Sequence, residues 1–342
     1  MSKLEILKPR KGITEPFSSK EGVSDKEKTD KDKEQQAMRI LEEIEKEAET
    51  TKIKDDAYYQ RVTEKMKQIE RMFSESITSS EAKEILKQDF LGKEEIEKAL
   101  NIEIDETSIP EIPFSREDIE RAKELNQFLI LRTDKIDKKT PLTMENINKH
   151  LKGKTKDGGK ILYSGDETGK IKDDAWYKPE SLLKETPILS WALVSKEVIP
   201  ESTSKNYLEQ TELIIKYLKE KVYKDTDTPE VYQQAITEFE KEKEEIAGLI
   251  KTDWKKAAEK LEKLQINQLT RQTPIETIYN LIAYLHTNNQ RLLENKATWT
   301  KRRSSAGGLV DVGDFGADGA SLGSWGPGDS VGGIGVSFSR SL

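Results

Sequence analysis

Few side chains in this sequence are of the types that catalyse reactions or bind metal ions. Its 342 residues include no cysteine and two histidines, His150 and His286. The lack of cysteine excludes disulfides, thiolate metal sites and cysteine nucleophiles, and it is consistent with a reducing compartment. Neither histidine has a second histidine or a carboxylate at metal-ligand spacing, so both are predicted to be structural. We therefore expect no catalytic residue, no metal site, no cofactor and no enzymatic activity.

Two glycine-rich fragments bear a weak likeness to phosphate-binding loops. Gly153-Lys154-Thr155 has the right ending but lacks a glycine five residues earlier, and Gly165–Lys170 has too few residues between its glycines. Both are interpreted as surface turns. Four aspartates near the carboxyl terminus do not match the spacing of an EF-hand, which leaves loop-bound calcium as a minor alternative.

The charge pattern argues against nucleic acid and membrane partners. Charged residues make up 35% of the chain and the net charge is -7, but lysine and glutamate are interleaved. The basic run 301–303 is too short for a nucleic-acid footprint. No apolar stretch approaches the roughly 18 residues of a membrane helix, and the amino terminus lacks a secretion signal. We expect a soluble protein made in the cytoplasm, with display on a surface or particle left open.

The hydrophobic pattern divides the chain into three parts. Residues 1–35 are charged and poor in apolar anchors, which predicts a disordered polar tail. Residues 36–108 show a weak helical stripe and predict a helical segment, which is either a solvated spacer or packs on a helical partner, on another copy or on the main domain. A linker with two prolines, residues 109–114, precedes a denser domain at 115–342.

Within the denser domain, helical and strand patterns alternate. The runs Phe128–Arg132 and Trp191–Val194 predict buried strands, and apolar residues at helical spacing predict three helices, at about 208–222, 229–264 and 273–285. Thr273 and Glu276 form a capping box with Pro274 in the first turn, which marks a helix start. The predicted fold class is α+β.

The composition changes abruptly at the carboxyl terminus. Residues 304–342 contain no lysine and no glutamate but eleven of the 20 glycines. Because glycine costs roughly 1 kcal/mol per helical position, a helix is excluded there. Apolar residues alternate with polar ones, which predicts a small antiparallel sheet with a turn at Ala317–Gly319. The predicted inward residues are Val310, Val312, Phe315, Leu322, Val336 and Phe338.

Five segments of the tail occur in an order that resembles a known protein region. They are Trp299–Ser305, Val310–Phe315, Ala317–Gly319, Trp325–Pro327 and Gly335–Arg340. Together they resemble the C-terminal variable region of diversity-generating retroelement target proteins, which are similar to the formylglycine-generating-enzyme branch of the C-type lectin fold. The likeness extends over about residues 115–342 and is closest to variants from candidate-phylum bacteria. It implies a C-type-lectin-like domain with a helical insertion and a variable region at about 304–342.

The resemblance implies a hypervariable ligand-binding protein without enzymatic activity. In that family an error-prone reverse transcriptase rewrites adenines, so that asparagine codons can become those of Gly, Asp, Ser, Ala or Val but never of Lys, Glu or Trp. Trp325 is accordingly assigned to the framework. The outward positions form the implied ligand-binding face: Gly308, Asp311, Asp314, Gly316, Ser321, Gly323, Ser324, Gly326, Asp329, Val331 and Gly333.

The ligand implied by this resemblance is an unknown protein or other macromolecule. Because the predicted face carries small residues and lacks the Tyr, Trp and Arg anchors typical of hot spots, we expect weak binding. Catalysis in the formylglycine-generating enzymes requires cysteines that bind copper, and this chain has none. The alternative function is a structural or adaptor protein, or a particle component, with a fixed lectin-like fold.

Overall fold

The computed structural model describes residues 35–44, 46–47, 58, 61–62, 65 and 77–341. The chain divides into two compact units, Met1–Ser74 and Glu75–Leu342. In the first unit, residues 35–44 are helical, in agreement with the helical pattern predicted from residue 36. The predicted disordered tail before residue 35 and most of residues 45–76 lie outside the described residues.

The second unit has an α+β fold, as predicted. Its helices are α1 (Ser79–Leu86), α2 (Lys93–Leu100), α3 (Arg116–Glu124), α4 (Met144–His150), α5 (Tyr207–Tyr217), α6 (Glu230–Thr252), α7 (Trp254–Lys263), α8 (Gln265–Thr270) and α9 (Pro274–Asn288). Its strands are β1 (Phe90–Leu91), β2 (Gln127–Arg132), β3 (Ser190–Ser195), β4 (Ala297–Arg303), β5 (Leu309–Gly316), β6 (Gly319–Trp325), β7 (Ile334–Gly335) and β8 (Ser339–Arg340). None of the helices in the described part of the chain has the length and apolarity needed to cross a membrane.

The strands form two four-stranded sheets that are joined by the end of the chain. The first sheet has the order β1-β2-β3-β8, in which β1 is parallel to β2 and the other neighbours are antiparallel. The second has the order β6-β5-β4-β7, in which β4, β5 and β6 form an antiparallel meander and β7 is parallel to β4. Because β7 and β8 belong to different sheets, the last residues tie the two sheets together.

This arrangement corrects the prediction that residues 304–342 form a single antiparallel sheet. Only β5 and β6 form the predicted hairpin, with its turn at residues 317–318. Val336 and Phe338 are buried as predicted, but Ser337 between them is buried too, and its hydroxyl donates to the Ser195 carbonyl at 3.0 Å. The alternation fails here because the chain is covered on both sides as it passes from one sheet to the other.

Local sequence signals place the inner elements correctly. The two predicted strands correspond to β2 and β3, and all six residues of β2 are buried. At the start of α9, the Thr273 hydroxyl accepts the Glu276 N–H while the Glu276 carboxylate accepts the Thr273 N–H, so the predicted capping box is confirmed. These signals depend on neighbours along the chain, which is why the sequence is sufficient to find them.

Helix α9 lies at the centre of the domain. It is buried from Pro274 to His286 and contacts β1 and β2 of the first sheet and β4 and β5 of the second. One apolar cluster surrounds it and includes Leu129, Val310 and Val312. A helix that is buried on every side belongs to a domain centre, because a surface helix keeps one polar face in water.

Helices α5 to α8, together called the helical insertion below, cover the other side of the second sheet. They build a second apolar cluster that includes Trp299 and Leu309 of the sheet. The ring of Tyr207 packs edge-on against Trp299 with centroids 5.6 Å apart, and the Arg271 guanidinium lies 3.8 Å from the Tyr207 centroid. The second sheet therefore has apolar packing on both faces near β4.

Residues 77–114 belong to the same unit as the rest of the domain. Strand β1 pairs with β2, and Ile112 and Phe114 are buried in the cluster around α9. The Trp191 indole N–H also donates to the Pro110 carbonyl at 2.9 Å. The division between units lies between Ser74 and Glu75, and the predicted linker at 109–114 is an extended part of the core.

A buried ion pair joins the first sheet to α9. Arg132 at the end of β2 is 1% exposed, and its guanidinium lies 3.2 Å from the carboxylate of Glu276. The same guanidinium donates to Gln272 at 3.2 Å and to Ser339 of β8 at 3.3 Å. Burial raises the pKa of Glu276, but Arg132 and the nearby Lys301 outweigh it and hold the pKa below its usual value. Both groups of the pair are therefore charged in the folded protein.

Substituting Glu276→Gln should destabilise the domain strongly. The change keeps the size of the side chain and an oxygen acceptor for Thr273, but it leaves the Arg132 charge buried without a counterion. Loss of one partner of a buried pair costs about 3–5 kcal/mol. Urea unfolding should show this loss, while Glu259→Gln in the exposed pair with Lys263 should leave the midpoint unchanged. Equal midpoints for the two variants would contradict the role assigned to the buried pair.

Candidate ligand-binding face

The eleven predicted face residues lie on the β5–β6 hairpin, at its base and in the loop that follows it. Three are exposed: Asp314, Asp329 and Gly333. Six are partly exposed: Gly316, Ser321, Gly323, Ser324, Gly326 and Val331. The remaining two, Gly308 and Asp311, are buried, so their predicted outward position is wrong. The hairpin and the loop at residues 326–333 are together called the hairpin face below.

Gly308 is buried because it lies against the end of β6. A Cβ atom at this position would lie 2.5 Å from the Ser324 hydroxyl and 3.1 Å from the Trp325 carbonyl oxygen. A side chain would therefore collide with the neighbouring strand. Its role is to allow β5 to begin close to β6, which a pattern along the chain cannot reveal.

Asp311 is buried because it occupies the central strand of the meander. In the register of the sheet it stands opposite Trp299 on one side and Gly323 on the other. Directly paired residues share a face, and residues two apart on a strand share it as well. Ser321 and Trp325 therefore lie on the same face as Asp311, whereas Ser324 pairs with Val310 and lies on the opposite one.

The Asp311 carboxyl group has an unusual environment. The residue is 4% exposed, and its Oδ1 atom has no hydrogen-bond partner among the described residues. Burial raises the pKa of Asp311 to about 7, the Trp325 indole N–H opposes that shift, and the charge of Asp314 adds to it. The buried Nε1 of Trp299, opposite on β4, also lacks a partner within the described part of the chain. An unpaired buried polar group costs free energy, so the burial of Asp311 Oδ1 without a hydrogen-bond partner calls for a functional explanation.

Gly323 leaves room for the Asp311 carboxylate. A Cβ atom on Gly323 would lie 2.3 Å from Asp311 Oδ1 and 2.8 Å from Trp325 Nε1. The carboxylate therefore lies over the backbone of Gly323, with the indole of Trp325 beside it. The absent side chain of this glycine is what brings the acid and the aromatic ring together.

A partly buried arginine holds the tip of the hairpin. The Arg291 guanidinium binds the Asp157 carboxylate at 2.8 Å and donates to the carbonyl oxygens of Phe315 and Gly316 at 3.1 and 2.7 Å. It also lies 4.9 Å from the ring centroid of Phe315. These bonds fasten the tip of the hairpin to the loop that contains Asp157. The hairpin is thus fixed at its tip as well as along its strands.

The loop at residues 326–333 is fixed more loosely. The Gly326 N–H donates to the Asp329 carboxylate at 2.8 Å, and the Val331 carbonyl accepts the Ser204 N–H at 3.3 Å. Val331 packs against the apolar cluster of the helical insertion. Val331 therefore contributes to packing, while Asp329 and Gly333 are exposed to solvent.

Sequence reasoning missed the aromatic residues beside the face. Trp325, which was assigned to the framework, is 43% exposed. The alternation that places Ser321 and Gly323 on one face also places Trp325 there, so the signal was present. Trp176 and Tyr163 lie at the outer edge of β6, where the Trp176 indole donates to the Leu322 carbonyl at 2.9 Å and the Tyr163 N–H donates to Ala320. No sequence signal could have found these two, because they come from a distant loop.

The histidines bind backbone groups. His286 Nε2 accepts the Lys156 N–H at 2.9 Å, and His286 Nδ1 lies 2.7 Å from the Ala99 carbonyl oxygen. His150 Nε2 lies 2.9 Å from the Asn101 carbonyl oxygen. Within the described residues, no group of three or more His, Cys, Asp or Glu side chains is arranged to hold a metal ion. Both histidines thus act as connectors between segments.

The substitution Gly323→Ala should disturb the Asp311–Trp325 arrangement. The new methyl group cannot coexist with the carboxylate in its present place, and overpacking of this kind costs about 1–3 kcal/mol. We expect a lower unfolding midpoint and a changed Trp325 fluorescence. Gly333→Ala is the matched control, because a Cβ atom there meets nothing within 4 Å. Identical behaviour of the two variants would show that Asp311 does not lie over Gly323.

His286 should make the stability dependent on pH. Burial is the largest of the effects that lower its pKa, and the ring is neutral because Nε2 accepts a hydrogen bond. The folded state then binds fewer protons than the unfolded state, where the pKa is about 6.5. The free energy of unfolding should be highest above that pH and fall as the pH drops below it. His286→Gln should flatten this slope in urea titrations, and an unchanged slope in that variant would refute the assignment.

Comparison with known proteins does not identify the chain. No protein-family model, no curated protein and no solved structure matches it. Its function must therefore be argued from the geometry of the hairpin face and from the residues of the sequence.

Proposed function

We propose that this chain is a non-enzymatic protein that binds a protein or other macromolecular ligand through the hairpin face. The observation that carries the proposal is the distribution of exposure. All but two of the eleven predicted positions retain contact with solvent, although the strands that bear them are packed on both sides near β4. Surface positions on a well-packed support are typical of binding sites.

The rigidity of the support favours this function. Val310 and Val312 of β5 are fully buried, and the tip of the hairpin is held by Arg291. A ligand that meets a fixed backbone does not have to order it, so less conformational entropy is lost on association. Changes of the exposed side chains would then alter the ligand without altering the fold.

The proposal extends to diversification of the hairpin face by a retroelement. The likeness of residues 299–340 to the variable regions of such target proteins supports it, as do the Gly, Ser, Asp and Val residues at the partly or fully exposed positions. The pairing of the last strand, β8, within the first sheet supports a lectin-like fold, whose terminal strand is part of the core. The aromatic residues beside the face supply anchors that the variable positions lack.

Sequencing the DNA that flanks the gene tests diversification directly. We expect an imperfect copy of the codons for about residues 304–342, differing only at adenines, beside a reverse-transcriptase gene. Differences should concentrate at exposed positions such as Asp314 and Gly333 and spare codons for buried residues such as Val312. Complete flanking sequence without such a copy would leave a fixed lectin-like protein with a structural or adaptor role.

A further inference from the structure

The buried Asp311 carboxyl group has no ion-pair partner among the described residues, in contrast to two of the three fully buried arginines of the domain. Arg132 is paired with Glu276, and Arg340 is paired with Asp118 at 2.7 Å. Asp311 is 4% exposed, and no described cation is among the groups that shift its pKa. Several buried polar atoms of the described residues lack a hydrogen-bond partner, and Asp311 Oδ1 is the one among them that belongs to a carboxyl group, whose burial without a counterion is costly.

The surface around Asp311 carries negative charge that the protein does not neutralise. From residue 304 onwards the acidic residues are Asp311, Asp314, Asp318 and Asp329, and none of them forms an ion pair with any residue in the described ranges. The one basic residue of this segment, Arg340, is fully buried. Asp314 is exposed and close enough to Asp311 to raise its pKa. The hairpin face is therefore complementary to a cation.

An exposed aromatic ring stands beside the unpaired carboxylate. Trp325 is 43% exposed, and its Nε1 atom and Asp311 Oδ1 both lie within 3 Å of the point where a Gly323 Cβ would be. The indole atom next to the carboxyl group is Nε1, whose N–H opposes the rise in the Asp311 pKa, while the face of an indole ring attracts cations. A carboxylate with a free lone pair next to such a ring is a suitable environment for an organic cation.

We propose that Asp311 and Trp325 form a subsite for the ammonium group of a lysine side chain on a protein ligand, with Asp314 adding charge at its rim. A compact ammonium can approach a single carboxylate oxygen over the backbone of Gly323, whereas a guanidinium needs two oxygens for its planar fork. Because Asp311 is 4% exposed, the proposed contact with Oδ1 requires the partly exposed Trp325 side chain to move. This inference rests on the proposed function of the hairpin face and names the chemistry that the face recognises.

The test is a titration of the full-length, ¹⁵N-labelled protein with Nα-acetyl-lysine methylamide. The indole N–H signals of Trp299 and Trp325, assigned with the variants Trp299→Phe and Trp325→Phe, report on the subsite. Nα-acetyl-norleucine methylamide has a similar aliphatic chain without the ammonium and is the matched probe. We expect a saturable shift with the lysine probe, and binding weaker by about tenfold or more for the norleucine probe, the difference of one charge-assisted hydrogen bond.

Two further substitutions test whether binding of the lysine probe depends on Asp311. Asp311→Asn, which keeps the shape of the side chain, should weaken the lysine probe about as much as removal of the ammonium does. Glu117→Gln, at an exposed carboxylate of α3, should leave binding unchanged. Equal binding of both probes by the unaltered protein, or full binding by Asp311→Asn, would overturn the proposal. Because this test uses only the protein and a small amine, it can fail while the flanking DNA still contains the codon copy, and the reverse also holds.

Discussion

The buried ion pair between Arg132 and Glu276 is the contact on which the arrangement of the domain depends. Arg132 ends a strand of the first sheet, Glu276 lies in the first turn of α9, and Ser339 of the last strand binds the same guanidinium. A charge left unpaired in such a place would cost several kcal/mol. Helix α9, the first sheet and the carboxyl-terminal strand therefore meet at this point.

The position of the hairpin face depends on how the helices pack against the second sheet. Helix α9 supports the inner side of β5, and the helical insertion covers the other side near Trp299. Strand β6 is left at an edge of the second sheet, with its outer residues partly in solvent. A surface with a fixed backbone and partly exposed side chains results from packing on both sides of a sheet, together with the bonds of Arg291 to the hairpin tip.

The buried charged side chains of the domain differ in whether they have an ion-pair partner. The arginines at positions 132 and 340 are buried with carboxylate partners, which makes their burial tolerable. Asp311 has no such partner and is held beside an exposed tryptophan. Stability alone would favour an apolar residue on the central strand. The retained acid fits the proposed recognition of a cationic group. A bound ligand would then supply the ion-pair partner that the protein itself lacks.

The features that the sequence determined by itself are those with local causes. The strand at Phe128–Arg132, the capping box at Thr273 and Glu276, and the inward residues Val310 and Val312 depend on neighbours two to four positions away. The structure confirms all of them, together with the α+β class.

Only the tertiary structure decided the features that depend on a neighbouring strand or a distant loop. Asp311 has the same alternation as an outward residue, but β4, β6 and the indole of Trp325 close over it. Gly308 is buried by the strand beside it, and the last residues split between two sheets. Alternation along a chain reports which side of a strand a residue occupies, whereas burial depends on what packs against that side.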